Sequence, residues 1–117
     1  MSDYTEYLPY IDVNDGKARV VNNLKLYMRL LGKFAGSQMS DDIIHAMGEN
    51  DSVKIAQTAH ALRGTSANLS FPELLKVTAE IEALAKKGED CSHLVEPLKT
   101  AMSDVDGAIQ KLLAAQG

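Results

Sequence analysis

Between Ile55 and Leu69 the positions Ile55, Ala59, Leu62, Ser66 and Leu69 follow one another at spacings of 4, 3, 4 and 3. At about 100° per residue this rhythm puts all five on one stripe of a helix, the seam by which a helix packs in a bundle. A strand would need a period of two, and no segment shows that alternation or a β-branched cluster. Nor does any repeat of about 20–50 residues suggest a solenoid. The stripe therefore commits the chain to helices. With 117 residues, 45% of them hydrophobic and 24% charged, the chain is sized for one ordinary domain able to bury roughly two thirds of its unfolded surface.

The same reading extends along the chain. Residues 1–16 carry Tyr4, Tyr7 and Tyr10 with Leu8, Pro9 and Ile11, too apolar a mix for a free tail, and are expected to pack across the bundle. Asn14-Asp15-Gly16 reads as a turn or helix start. From Lys17 onward Val20, Val21, Leu24, Tyr27, Met28, Leu31 and Phe34 recur at helical spacing, as a short helix running into a second. Gly36-Ser37 breaks the pattern before Met39, Ile43, Ile44 and Met47, with Ser40 as the expected N-cap ahead of Asp41 and Asp42. Gly48 stops this piece, and Asn50 or Asp51 caps the helix that bears the stripe.

Ser70-Phe71-Pro72-Glu73 fits a capping box for the following helix, whose seam is Leu74, Val77 or Thr78, Ile81, Leu84 and Ala85, with Gly88 as its stop. Asp90 or Ser92 caps a last helix with the stripe Leu94, Leu98, Ala101 or Met102, Val105, Ala108 or Ile109, and Leu112. Short loops make neighbouring helices antiparallel. The expected architecture is all-α: an up-down-up-down four-helix bundle with a short N-terminal helix, formed by a single domain over 1–117.

His60 lies roughly 140° from the centre of the buried stripe, so its ring must face solvent. Val53, Ala56, Gln57, Arg63, Gly64 and Ala67 share that face within about 60°. Small residues thus surround an exposed imidazole. A mid-helix glycine costs about 1 kcal/mol relative to alanine, and close approach by another surface would account for Gly64. Arg63, one turn on, suits an anion such as a phosphoryl group held on His60, and Gln57, one turn back, could add a hydrogen bond. An imidazole is largely neutral at pH 7 and its free ring nitrogen can attack phosphorus. The stretch itself holds no carboxylate base, metal cluster or oxyanion hole, which leaves the chemistry to be completed by a partner.

His60-Ala-Leu-Arg-Gly64, followed by Thr-Ser-Ala-Asn-Leu, resembles the signature of histidine-containing phosphotransfer domains: an exposed histidine with Leu, Lys or Arg, and Gly at offsets of two, three and four. The family usually carries an acidic residue about nine positions earlier, here Asp51, and a Leu-rich helix with a Glu afterwards, here Leu74, Leu75 and Glu82. The resemblance covers roughly residues 20–113. Two departures stand out: Arg63 replaces the favoured Lys, and Ser70 replaces the usual Gly.

The resemblance implies the same bundle, and a phosphoryl carrier rather than a stand-alone enzyme. His60 would be the catalytic phosphoryl acceptor and donor, with Arg63 and Gln57 stabilising the group, and Ala56, Gly64 and Ala67 as docking surface. The implied partners are response-regulator receiver domains and hybrid sensor kinases; any Mg²⁺ would be supplied by the receiver, with no cofactor or metal of the chain's own.

Other classes fit less well. A net charge of −4 with no basic cluster longer than Lys86-Lys87 disfavours nucleic acid. No run of 18 apolar residues or signal-like start appears, so a cytoplasmic, membrane-free monomer is expected. The single cysteine, Cys91, excludes an internal disulfide framework. A bundle metal site built from His45, His60 and His93 would want Glu-x-x-His motifs facing the core, and none occurs. A docking module that sequesters a partner through the His60 surface without phosphotransfer is the competing reading.

Overall fold

The computed structural model describes residues 3–116, which contain six α-helices and two short 3₁₀ turns and no strand. The helices are α1 (Val13–Arg19), α2 (Leu24–Phe34), α3 (Met39–Gly48), α4 (Ser52–Leu69), α5 (Pro72–Lys86) and α6 (Val95–Gln116). α3 packs on α4, α4 on α5, α5 on α6 and α6 back on α3, closing a four-helix ring. The α4–α5 pair is the most extensive, joined by only Ser70 and Phe71, so the two run antiparallel. Helices α1 and α2 pack at the C-terminal end of α4, where the Tyr27 hydroxyl donates to the Leu69 carbonyl at 2.5 Å.

Most of the expected seams of α4, α5 and α6 form the core; Leu84 of α5 is only half-buried, as are Leu24 and Met28 of α2 and Met39, Ile44 and Met47 of α3. Ile55, Ala59, Leu62, Ser66 and Leu69 are all buried, as are Leu74, Val77, Thr78, Ile81 and Ala85 of α5. Every expected stripe residue of the last helix is also buried. Of the N-terminal segment, Tyr7, Ile11 and Val13 are buried, and Leu8, Pro9 and Tyr10 are exposed.

Local punctuation differs from expectation at several points. Asn14-Asp15-Gly16 is a helix start, as one of its two readings had it, but α1 begins at Val13, ahead of the expected Lys17: Asp12 caps it by accepting the Asp15 N–H, and the Tyr27 ring packs against Gly16, leaving no room there for a Cβ. The apolar run at Val20-Val21 is not helical. It forms the α1–α2 connection, with Val21 exposed and at φ 57°. Ser40 is buried within α3 rather than capping it; the Ser37 hydroxyl accepts the Met39 N–H instead.

Ser70 is the most informative correction. It caps no helix start: it ends α4 at φ 62°, a left-handed position that favours glycine, while Phe71 stands at the N-terminus of α5 without a side-chain cap. A serine is accommodated because its hydroxyl donates to Asp15 Oδ2 at 2.5 Å, and its carbonyl accepts the Asp12 N–H at 2.8 Å. These bonds tie α1 to the α4–α5 corner. Asp51 does cap α4, accepting the Lys54 N–H, and Gly88, at φ 70°, follows the end of α5.

Candidate functional site

The outward face of α4 follows from the burial of its inward one. With the seam fixed in the core, His60 projects from the opposite side with its side chain 63% exposed. Gln57 and Gly64 are exposed beside it, Val53 stands out at 66% exposure, and Ala56, Arg63 and Ala67 are half-buried. A Cβ placed on Gly64 would meet nothing within 4 Å, so the glycine is not there to let another part of this chain approach. Open space lies above it.

The ring of His60 is held by a neighbour from another helix. Glu82 on α5 accepts from His60 Nδ1 at 2.8 Å through its Oε2, although its side chain is only 4% exposed. Arg63 Nε stands 3.0 Å from the other oxygen, Oε1, an ion-pair distance without the alignment of a hydrogen bond. Lys86, one turn further along α5, places its ammonium 3.0 Å from Oε2. One nearly buried carboxylate is therefore ringed by an imidazole and two cations that shield it from water. Burial alone would push the Glu82 carboxyl up, but hydrogen bonds from Lys86 and His60, with the charge of Arg63, outweigh it and hold the group below the usual carboxylate range. Glu82 is ionised at neutral pH.

An ionised acceptor at 2.8 Å fixes the imidazole tautomer. Arg63 Nη2 also approaches Nδ1, but at 3.4 Å, and it could donate only if Nδ1 carried no proton. The shorter contact to a full negative charge prevails. Nδ1 then carries the hydrogen, and Nε2 presents its lone pair. Such an imidazole is a nucleophile aimed away from the bundle, with a guanidinium one turn away.

Of the sequence-derived site residues, the fold brings together His60 and Arg63, with Ala56, Gly64 and Ala67 around them. It does not bring Gln57 to the ring, whose polar contacts are Glu82 and Arg63. The α4 stretch carries no carboxylate, but α5 supplies one. Glu82 and Lys86 escape a reading of α4 alone. The signal that could have found them is the position of Glu82 between Ile81 and Ala85 on the seam side of α5, where an unpaired charge is costly. His45 on α3 and His93 in the 3₁₀ turn before α6 are exposed, and no cluster of three or more metal-binding side chains occurs among the described residues. No helix among them is long and apolar enough to cross a membrane.

Comparison with known proteins bears on the family and the fold. The family model for the Hpt domain matches residues 36–114. No curated protein sequence matches the chain. Among solved structures, the HPT domain of an Hpt sensor hybrid histidine kinase from Shewanella superposes with a TM-score of 0.78 at 22% identity, covering 90% of this chain and 94% of that one. At that identity the likeness speaks for the fold.

Proposed function

This chain belongs to the Hpt domain family, and from that premise we propose that it is an intermediate in a multistep His-Asp phosphorelay, taking a phosphoryl group from one receiver domain and passing it to another. The observation that carries the reading is the pairing of an exposed His60 with the nearly buried carboxylate of Glu82. In the forward step the Nε2 lone pair attacks phosphorus, the Nε2–P bond forms, and the acyl phosphate P–O bond breaks to release the receiver's aspartate. The ring then carries a positive charge, which the Glu82 carboxylate offsets through the Nδ1–H. In the return step the proton stays on Nδ1, so the leaving group is a neutral imidazole and no proton has to move.

Arg63 is suited to the phosphoryl oxygens because its fork lies one turn from the ring and part of it is exposed. Lys86 contributes a second positive charge at the same edge. Gly64, Ala56 and Ala67 leave a low surface across which a receiver's loops can approach, and Gln57 lies at its margin. The Mg²⁺ that such transfers use belongs to the receiver, which also supplies the acidic residues around it. We place the protein in the cytoplasm as a monomer, with receiver domains and hybrid sensor kinases as partners.

The test is transfer from a receiver domain carrying labelled phosphoaspartate. The parent should acquire an acid-labile, alkali-stable label, and His60→Gln should acquire none while melting at nearly the same temperature, since the ring lies outside the core. Binding of the phosphorylated receiver without label on the parent would favour the docking module. Loss of label in His45→Gln or His93→Gln instead would remove His60 from the reaction.

A further inference from the structure

A groove of about 750 Å³ runs between α5 and α6, and His60 does not line it. On α5 its wall is Glu73, Lys76, Val77 and Glu80, spaced as one helical face. Glu80 and Glu82 are two residues apart, about 200° around the helix, so the groove opens on the side of α5 away from the phosphoryl site. On α6 the wall is Glu96, Pro97, Thr100, Ala101 and Asp104, again one face. Pro9 and Tyr10 close it from the N-terminal segment. The family match begins at residue 36, so this third wall lies outside the matched residues.

The lining has two characters. Val77, Leu94 and Ala101 form a buried floor, with Pro9, Tyr10 and Pro97 exposed along it. Glu73, Glu80, Glu96 and Asp104 stand at the rim against two cations, Lys76 in the lining and Lys99, 3.8 Å from Glu96, which leaves the rim net acidic. An apolar floor between carboxylates matches an amphipathic helix with an apolar stripe flanked by Lys and Arg, and repels nucleic acid or an anionic membrane. The walls extend over about 10–12 Å, room for about two helical turns, which implies a weak, reversible contact. A second copy of the chain is a poorer occupant. Its exposed basic row, Lys25, Arg29 and Lys33 on α2, would make a head-to-tail contact rather than the self-complementary one of a twofold dimer.

We propose that this groove is a second docking site, which receives a basic amphipathic helix of a partner protein while the His60 face remains free. It would tether a partner without competing with a receiver at His60, raising their local concentration.

The probe is a synthetic Lys/Leu amphipathic helix titrated into the full-length, ¹⁵N-labelled protein, with a Glu/Leu counterpart as control. The Lys/Leu peptide should shift the amides of Tyr10, Val77 and Thr100 and leave that of His60 unmoved, and the Glu/Leu peptide should shift none. Glu80→Lys with Glu96→Lys should weaken binding at least about tenfold, whereas the equal charge change Asp41→Lys with Asp42→Lys should not. Tyr10→Ala, which leaves the charge untouched, should also weaken it. Equal weakening by the two charge-reversal pairs, shifts spread over the whole surface, or an unaffected Tyr10→Ala would overturn the proposal. So would self-association of the free protein that the Glu80/Glu96 pair abolishes, since the occupant would then be a second copy.

Discussion

The two faces of α4 are built to opposite specifications. The inner face, Ile55, Ala59, Leu62, Ser66 and Leu69, is closed: each residue is buried and is defined by what it packs against. The outer face, from Val53 through Ala56, His60 and Gly64 to Ala67, is low and open, and its one large polar ring is positioned from the side by Glu82 of α5. Packing fixes the helix axis, and a hydrogen bond to a carboxylate of the adjacent helix fixes the imidazole. A side chain can therefore be both exposed and oriented, a combination that an exposed residue on an isolated helix would lack.

That contrast can be broken most severely from the inside. Leu62 is fully buried, so Leu62→Ala should cost about 2–5 kcal/mol of stability, read as a lowered denaturant midpoint. A loss below about 1 kcal/mol would mean that the inner seam is not packed as described.

The outer face should respond in function and not in folding. Gly64→Gln has open space to project into and should fold at least as well as the parent. It should nevertheless accept phosphoryl up to about a hundredfold more slowly, because a receiver displaced by about 1 Å loses its alignment. Transfer at the parent rate would remove the close-approach explanation for the glycine, and unfolding would show that it serves helix packing.

Arg63 sharpens the comparison from between the faces. A charge-assisted hydrogen bond is worth roughly 1.5–3 kcal/mol, so Arg63→Ala should slow transfer or shorten the adduct's lifetime by about one to two orders of magnitude. Arg63→Lys should be mild, since the charge persists. An unchanged rate and lifetime in the alanine variant would leave Arg63 with Glu82 as its sole partner.

What was legible in the sequence tracks the same division. The seams of α4, α5 and α6 could be read residue by residue, because burial on a helix imposes a period that survives in the order of residues. The exposure of His60 followed as a complement, and so did the company of Arg63 and Gly64. Helix ends were less legible: Ser70 looked like a cap by residue type, but its conformation is set by Asp15 and Asp12, which are distant in sequence. Gly16 could be read as a turn or a helix start; it is in the first turns of α1, and its packing against the Tyr27 ring has no local trace. Glu82 was marked as a family feature and stands out as a charge on the α5 seam, but its pairing with His60 depends on the α4–α5 crossing, which has no periodic trace in either helix alone.

The central claim is that Glu82 holds His60 as the Nδ1–H tautomer so that phosphorus is accepted on Nε2. Nitrogen NMR of the protein labelled with ¹⁵N in its imidazoles, recorded before and after transfer from a phosphorylated receiver, tests it directly. The account predicts a proton on Nδ1 of His60 in both states and phosphorus coupled to Nε2 of that ring in the second. Phosphorus on Nδ1, or on the ring of His45 or His93, would contradict it.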